Sequence, residues 1–278
     1  MPSDISRSNI NEIFMELGKY YRKMLGKSVH AEIVIVGGAA ILTQYSFREM
    51  SSDVDAIIKA SSAIKDAAII VEDRFDLEHN WLNSDFIKTD SYSPKIEEHS
   101  RYYRTFANVL EVRIVEPAYL IAMKLRSGRE YKHDISDIVG ILMDERKAGS
   151  DIPKESVIDA FADLYGIEHL TKKKQDLLDS IYSAEELSVL YETVSKSEKH
   201  YGDILKQFEN DYPRVLSEGN VSSVLHSLVA KEKREAEKKE GITKEKKTET
   251  TPPHSNFFPS RSETDERWED GRDDDDER

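Results

Sequence analysis

The 278-residue sequence predicts an α/β (α+β) fold in which a small mixed sheet is flanked by helices, followed by a C-terminal helical region and a disordered acidic tail. Three observations carry this prediction. A β-branched segment, 31–36, runs directly into Gly37-Gly38 and then an apolar helical stretch. Residues 53–58 alternate, with Val54, Ala56 and Ile58 on one side and Asp53 and Asp55 on the other, the period of a half-buried strand. Beyond Gly149 the strand signals cease and only helical periodicity remains.

The elements follow in order. In 8–27, Ile10, Phe14, Leu17, Tyr21 and Leu25 recur at helical spacing, with Ser8 as a candidate cap and Gly26 as a stop. The strand at 31–36, the glycine turn and a helix at 39–45 come next, then the alternating strand and a helix at 62–72. Trp81, Leu82 and Asn83 read as loop. Two further strands are expected at 102–106 and 109–115, paired through Ala107-Asn108. Pro117 opens a helix that runs to Gly128, and a second at 131–146 buries Ile135, Ile138, Val139 and Leu142. Helices at 154–165, 171–181, 184–215 and 221–239 complete the pattern. The expected domains are 1–149, 150–238 and a tail, 239–278, too polar to offset its ordering entropy.

Charge and composition bound the function. The segment 261–278 holds ten Asp or Glu against four Arg, −6 of the net −14, so the remainder is only moderately acidic. That balance disfavours a protein built around nucleic-acid backbones, while leaving room for one basic groove. The absence of cysteine excludes disulfides, thiolate zinc sites and cysteine nucleophiles, and cytoplasm is the expected compartment. The longest apolar run, 33–42, is too short to span a bilayer, so no membrane partner is expected. Basic residues in 231–247 are interleaved with glutamates, as on a solvated helix.

The residues that carry chemistry lie between 33 and 58. Adjacent glycines at a strand end let backbone approach a phosphate, and the following helix offers free N–H groups and a positive dipole end. Gly37 and Gly38, joined by Ser52, are therefore the expected triphosphate cradle. Asp53 and Asp55, two apart on a strand, project together and can share divalent cations, Mg²⁺ or Mn²⁺, that bridge phosphate oxygens. In a two-metal reaction one ion activates the attacking hydroxyl and the other steadies the leaving pyrophosphate. Such a site calls for a third carboxylate. Glu111 is the candidate, emerging with Arg113 opposite the apolar face of Leu110, Val112 and Ile114; a surface ion pair is the other reading of these two, and Glu116 and Asp90 are alternative third carboxylates. Gly26-Lys27-Ser28 is no phosphate loop, since Tyr21 stands where that motif needs glycine.

The order Gly37, Gly38, Asp53, Asp55 resembles the nucleotidyltransferase superfamily, with Gly38 where a serine is common. The stretch from Glu116 through Lys124 and Arg129, followed by Lys132, His133, Asp134 and Asp137, looks like its abortive-infection (AbiEii-like) branch. The resemblance covers 30–145. It implies a nucleotidyltransferase fold and an enzyme that moves a nucleotidyl group from an NTP to an acceptor. It also implies that Lys124 contacts the phosphates, that Arg129 assists, and that Asp134 or Asp137 takes part in catalysis or positions the lysine. RNA, above all tRNA, or protein is the expected acceptor, in a toxin or phage-defence setting with an antitoxin partner on the helical region. Two rivals stand beside this: a small-molecule nucleotidyltransferase of the aminoglycoside type, expected if the C-terminal helices close the pocket, and a non-catalytic interaction module, expected if Glu111 points away from Asp55.

Overall fold

The computed structural model describes residues 2–217 and 219–248. A five-stranded mixed sheet runs in the order β5 (Leu82–Asn83), β4 (Val54–Lys59), β2 (Ala31–Ile35), β7 (Leu110–Val115), β6 (Ser100–Phe106), and a two-stranded pair joins β1 (Ile5–Ser6) to β3 (Met50–Ser51). Strand β2 is antiparallel to β4 and parallel to β7, which fixes Ile35 opposite both Ala56 and Ile114. It is apolar on both sides apart from Glu32, as a strand covered on both faces must be. The bulged edge strand β6 is blunted by exposed Arg101 and Arg104.

Helix α1 (Ile10–Leu25) packs on α3 (Ala63–Phe75) and reaches β6 and β7. Helix α2 (Gly37–Gln44) follows β2 without a loop and touches α4 (Pro117–Ser127), which in turn meets α5 (Asp134–Lys147) and α6 (Lys154–Tyr165). Helix α7 (Lys172–Tyr182) precedes α8 (Leu187–Asp211), which lies along α5, and α9 (Val221–Thr248) closes the described chain. Met1–Val229 form one compact unit and Ala230 begins a second. The sequence-based boundary at 149 falls within the first unit, where α6 packs on α4 and α8 on α5. No helix among the described residues is long and apolar enough to cross a membrane.

The predicted class stands: a mixed sheet flanked by helices, with further helices after it. Some elements differ. Leu82-Asn83 form strand β5 rather than loop, and β1 and β3 carried no periodic signal because each is two residues long. Helix α9 continues to Thr248, past the expected end at 239. The remainder of the expected disordered tail, 249–278, lies outside the described residues.

Candidate active site

The site opens where β2 and β4 end beside each other. Val36 N donates to Asp55 O at 2.9 Å, so the chain leaves β2 level with the acidic pair and turns at once into α2. Gly37 makes that turn at φ 60°, a conformation that favours glycine, and a Cβ there would sit 3.5 Å from Asp55 Oδ2. A Cβ on Gly38 would meet Arg48 Nη2 at 2.8 Å and Ser51 Oγ at 3.0 Å, so its requirement for glycine is one of space. As in any helix, the first N–H groups of α2 have no partner within it. The predicted glycine turn and the acidic pair are thus adjoining, as the motif order implied.

The remaining wall is cationic. Lys124, in the last turn of α4, is 11% exposed, and Nζ lies 3.0 Å from Asp134 Oδ1 and 2.8 Å from Asp137 Oδ2. Arg129 Nε donates to Asp134 Oδ2 at 2.8 Å, and Arg48 Nη1 donates to both oxygens of Asp137. Both aspartates occupy the first turn of α5, where the helix dipole favours anions. Burial opposes the charge on Lys124, but Asp137 and Asp134 outweigh it and raise its pKa above the ordinary lysine value. Burial likewise opposes Asp134, yet Lys124 and Arg129 hold it well below the usual carboxylate range. Three cations are thereby fixed around two buried carboxylates. Asp134 has an exposure of 0%, and both of its oxygens are committed, Oδ1 to Lys124 and Oδ2 to Arg129.

These groups line a single cleft of about 1330 Å³ that contains Gly37, Gly38, Ser52, Asp53, Asp55, Lys124, Arg129 and Asp134. Desolvation first, and then the neighbouring Asp53, push the Asp55 carboxyl up to about 6. A cation placed there would relieve both effects. A family described as nucleotidyltransferase of unknown function (DUF6036) matches residues 12–201.

The chain belongs to this nucleotidyltransferase family.

No curated protein and no solved structure matches it. The family match runs from α1 into α8, so it takes in the sheet, the cleft and the helices behind it.

Glu111 is a correction. On β7 it stands opposite Glu32, four residues before Val36 on β2, and so roughly 13 Å along the strand from the acidic pair. It lines a separate groove with Glu32 and Lys59, and its carboxylate pairs with Arg113 at 3.3 Å, the surface ion pair that was its other reading. Glu116 and Asp90 do not line the cleft either. Among the described residues no three His, Asp or Glu side chains are grouped so as to hold a metal ion.

Two residues that line the cleft, Arg48 and Asn83, and one behind it, Glu198, carry roles that the local sequence does not announce. Arg48 precedes β3 and carries no local signal. Asn83 sits on β5, in register with Asp55. Glu198 of α8 is 3% exposed, and its Oε1 accepts from Ile135 N at 2.8 Å and Ser136 N at 3.3 Å, capping α5 from another helix. Its burial alone was signalled: Glu198 lies eleven residues after Leu187 and seven before Leu205, whole numbers of turns, on the buried stripe of α8.

Proposed function

We propose that this protein is a Mg²⁺- or Mn²⁺-dependent nucleotidyltransferase that transfers a nucleotidyl group from an NTP to an acceptor hydroxyl. The convergence of Gly37-Gly38, Asp53, Asp55 and Lys124 on one cleft carries the reading. The N-terminus of α2 and the two glycines receive phosphate oxygens. Asp53 and Asp55 are the residues that would hold a divalent cation, which when bound neutralises phosphate charge and polarises the reacting phosphorus. Lys124, Arg129 and Arg48, held in fixed positions by Asp134 and Asp137, stabilise charge developing on the phosphates without reorganising. The acceptor oxygen bonds to the α-phosphorus, the bond to the bridging β-phosphate oxygen breaks, pyrophosphate leaves, and the hydroxyl proton passes to water.

RNA or protein is the acceptor proposed, in a cytoplasmic toxin or phage-defence role with an antitoxin on the helical region, on the strength of the resemblance to the abortive-infection branch. A second reading rests on a specific observation: Leu205, Lys206 and Glu209 of α8 and Val221 of α9 wall the cleft, which favours a small-molecule acceptor. The displaced Glu111 is what an interaction module would show. Against that module stands the buried Lys124 cluster, which is expensive to maintain for a surface that only binds.

The test is incubation with Mg²⁺ and each α-³²P-labelled NTP, total tRNA and lysate, beside an Asp53→Ala/Asp55→Ala control. Label transferred only by the intact protein supports the reading, and its mobility identifies RNA, protein or small molecule. An absence of transfer with every NTP and acceptor pool counts against it.

A further inference from the structure

Two strands flank Asp55, and each can offer the acidic pair only one kind of group. On the β2 side the chain passes from Val36 into Gly37, which contributes backbone alone. On the other side β5 runs parallel to β4, with Leu82 beside Val54 and Asn83 beside Asp55. Residues in register on neighbouring strands project from the same face, and Asp53 shares that face with Asp55. Asn83 is therefore the neighbour that β5 supplies. Its residue is 9% exposed, its Nδ2 donates to Asp53 Oδ2 at 3.4 Å, and its Oδ1 accepts from Asp85 N at 2.9 Å.

The surroundings hold that position firmly. Val54 N donates to Trp81 O at 2.6 Å, Ser84 Oγ donates to Ala56 O at 2.7 Å, and the buried Trp81 anchors the segment through Nε1 to Ala68 O at 3.1 Å. Asp85, two residues on, carries a 65% exposed side chain paired with Lys88 at 2.9 Å. The residue of β5 in register with Asp55 is thus an amide, and Asp85, which lines the same cleft, is turned to Lys88.

We propose that Asn83 is the third group of the metal site, holding Asp53 from behind through its amide nitrogen, and that, as an amide, it limits the free protein to one divalent cation, a second being recruited only with the triphosphate. This rests on the reading of Asp53 and Asp55 as the metal-binding pair. Two carboxylates balance one divalent ion. A second ion roughly 4 Å away would face uncompensated repulsion until phosphate oxygens supply more negative charge. An amide at 83 also donates to Asp53, which an ionised carboxylate could not do, so it orients that ligand before metal arrives. It cannot take a proton at neutral pH, which removes position 83 as a general base for the acceptor.

Mn²⁺ titration of the full chain, followed by the electron paramagnetic resonance signal of free Mn²⁺, tests the proposal without turnover. The unmodified protein should bind one Mn²⁺ alone and a second only with α,β-methylene-ATP. Asn83→Asp should either bind the second ion without nucleotide or hold the first about 10- to 100-fold more tightly, and Asn83→Ala should weaken the first. Thermal melting with and without Mn²⁺ accompanies each variant: the Asp variant should melt lower than the unmodified protein in chelator and recover with metal. Two ions on the free unmodified protein, or Asn83→Asp and Asn83→Ala both titrating as the unmodified protein does, overturns the proposal. A protein that binds no Mn²⁺ under either condition fails earlier, at the reading of the acidic pair, and takes this inference with it.

Discussion

Replacing Glu198 with Gln should change how stability depends on pH, by an amount the structure allows to be worked out. Burial, only partly offset by hydrogen bonds from Ser136 and Ile135 and reinforced by Asp137, pushes the Glu198 carboxyl from its ordinary 4.5 up to about 7. Its Oε2 is buried and unpaired among the described residues, as expected of a group that folds best in its neutral form. An acid with a raised folded pKa binds its proton more tightly when folded. Its stabilising effect is therefore complete below the unfolded pKa and is lost as pH rises through the folded one. Between about pH 5.5 and 8 the loss integrates to about 2 kcal/mol. Gln keeps an acceptor for Ile135 N and Ser136 N and cannot ionise, so Glu198→Gln should lack that loss. Urea unfolding of both proteins at the two pH values isolates the residue as a double difference, which cancels contributions common to both, such as those of Asp55, whose carboxyl is pushed up to about 6, and of His133, whose pKa burial lowers. Parallel pH profiles for the two proteins would refute the argument. They would mean that water reaches Glu198 and that its carboxylate stays ionised at the α5 terminus.

The remaining predictions concern the cleft and its far neighbour. Gly37→Ala forces a side chain to φ 60° and sets a methyl group 3.5 Å from Asp55 Oδ2; it should destabilise by about 1 kcal/mol and weaken NTP binding beyond that, as measured by thermal melting and nucleotide titration. Glu111→Gln should leave transfer within about twofold of the unmodified rate, whereas Asp55→Asn should lower it by roughly a hundredfold or more; loss of transfer in Glu111→Gln would restore that residue to the site.

How much was legible depends on the range over which each feature is encoded. The alternation in 53–58 and the glycines at 37 and 38 are local, and both led to the cleft. For Glu111 the alternation correctly separated its face from that of Leu110 and Val112, but not the end of the strand at which it lies. That end is set by the parallel pairing of β2 with β7, strands separated by a long crossover, and period-two patterning is unchanged when one strand slides by two residues along the other. Asn83 was hidden for a different reason. Two residues cannot display a period, and β5 exists because Val54 and Ala56 on the neighbouring strand bond its backbone and flanks.

The helical region exposes the same limit from the other direction. Periodicity identified α8 as a helix and, with strand signals ending at Gly149, suggested a unit of its own. Yet α8 bonds the N-terminus of α5 through Glu198, and Tyr191 donates to Phe47 O at 3.2 Å beside Arg48. Phe47 lies against Gly140 of α5, where even a methyl group would fall 2.5 Å from its ring. Arg48 and Asp137, partners in the cationic wall, are thus each held from behind by an element that contributes no motif. The glycine turn and the acidic pair are legible because backbone geometry and charge demand them at short spacing. The residues that hold them in place are bound only by burial, and burial is a property of the assembled fold.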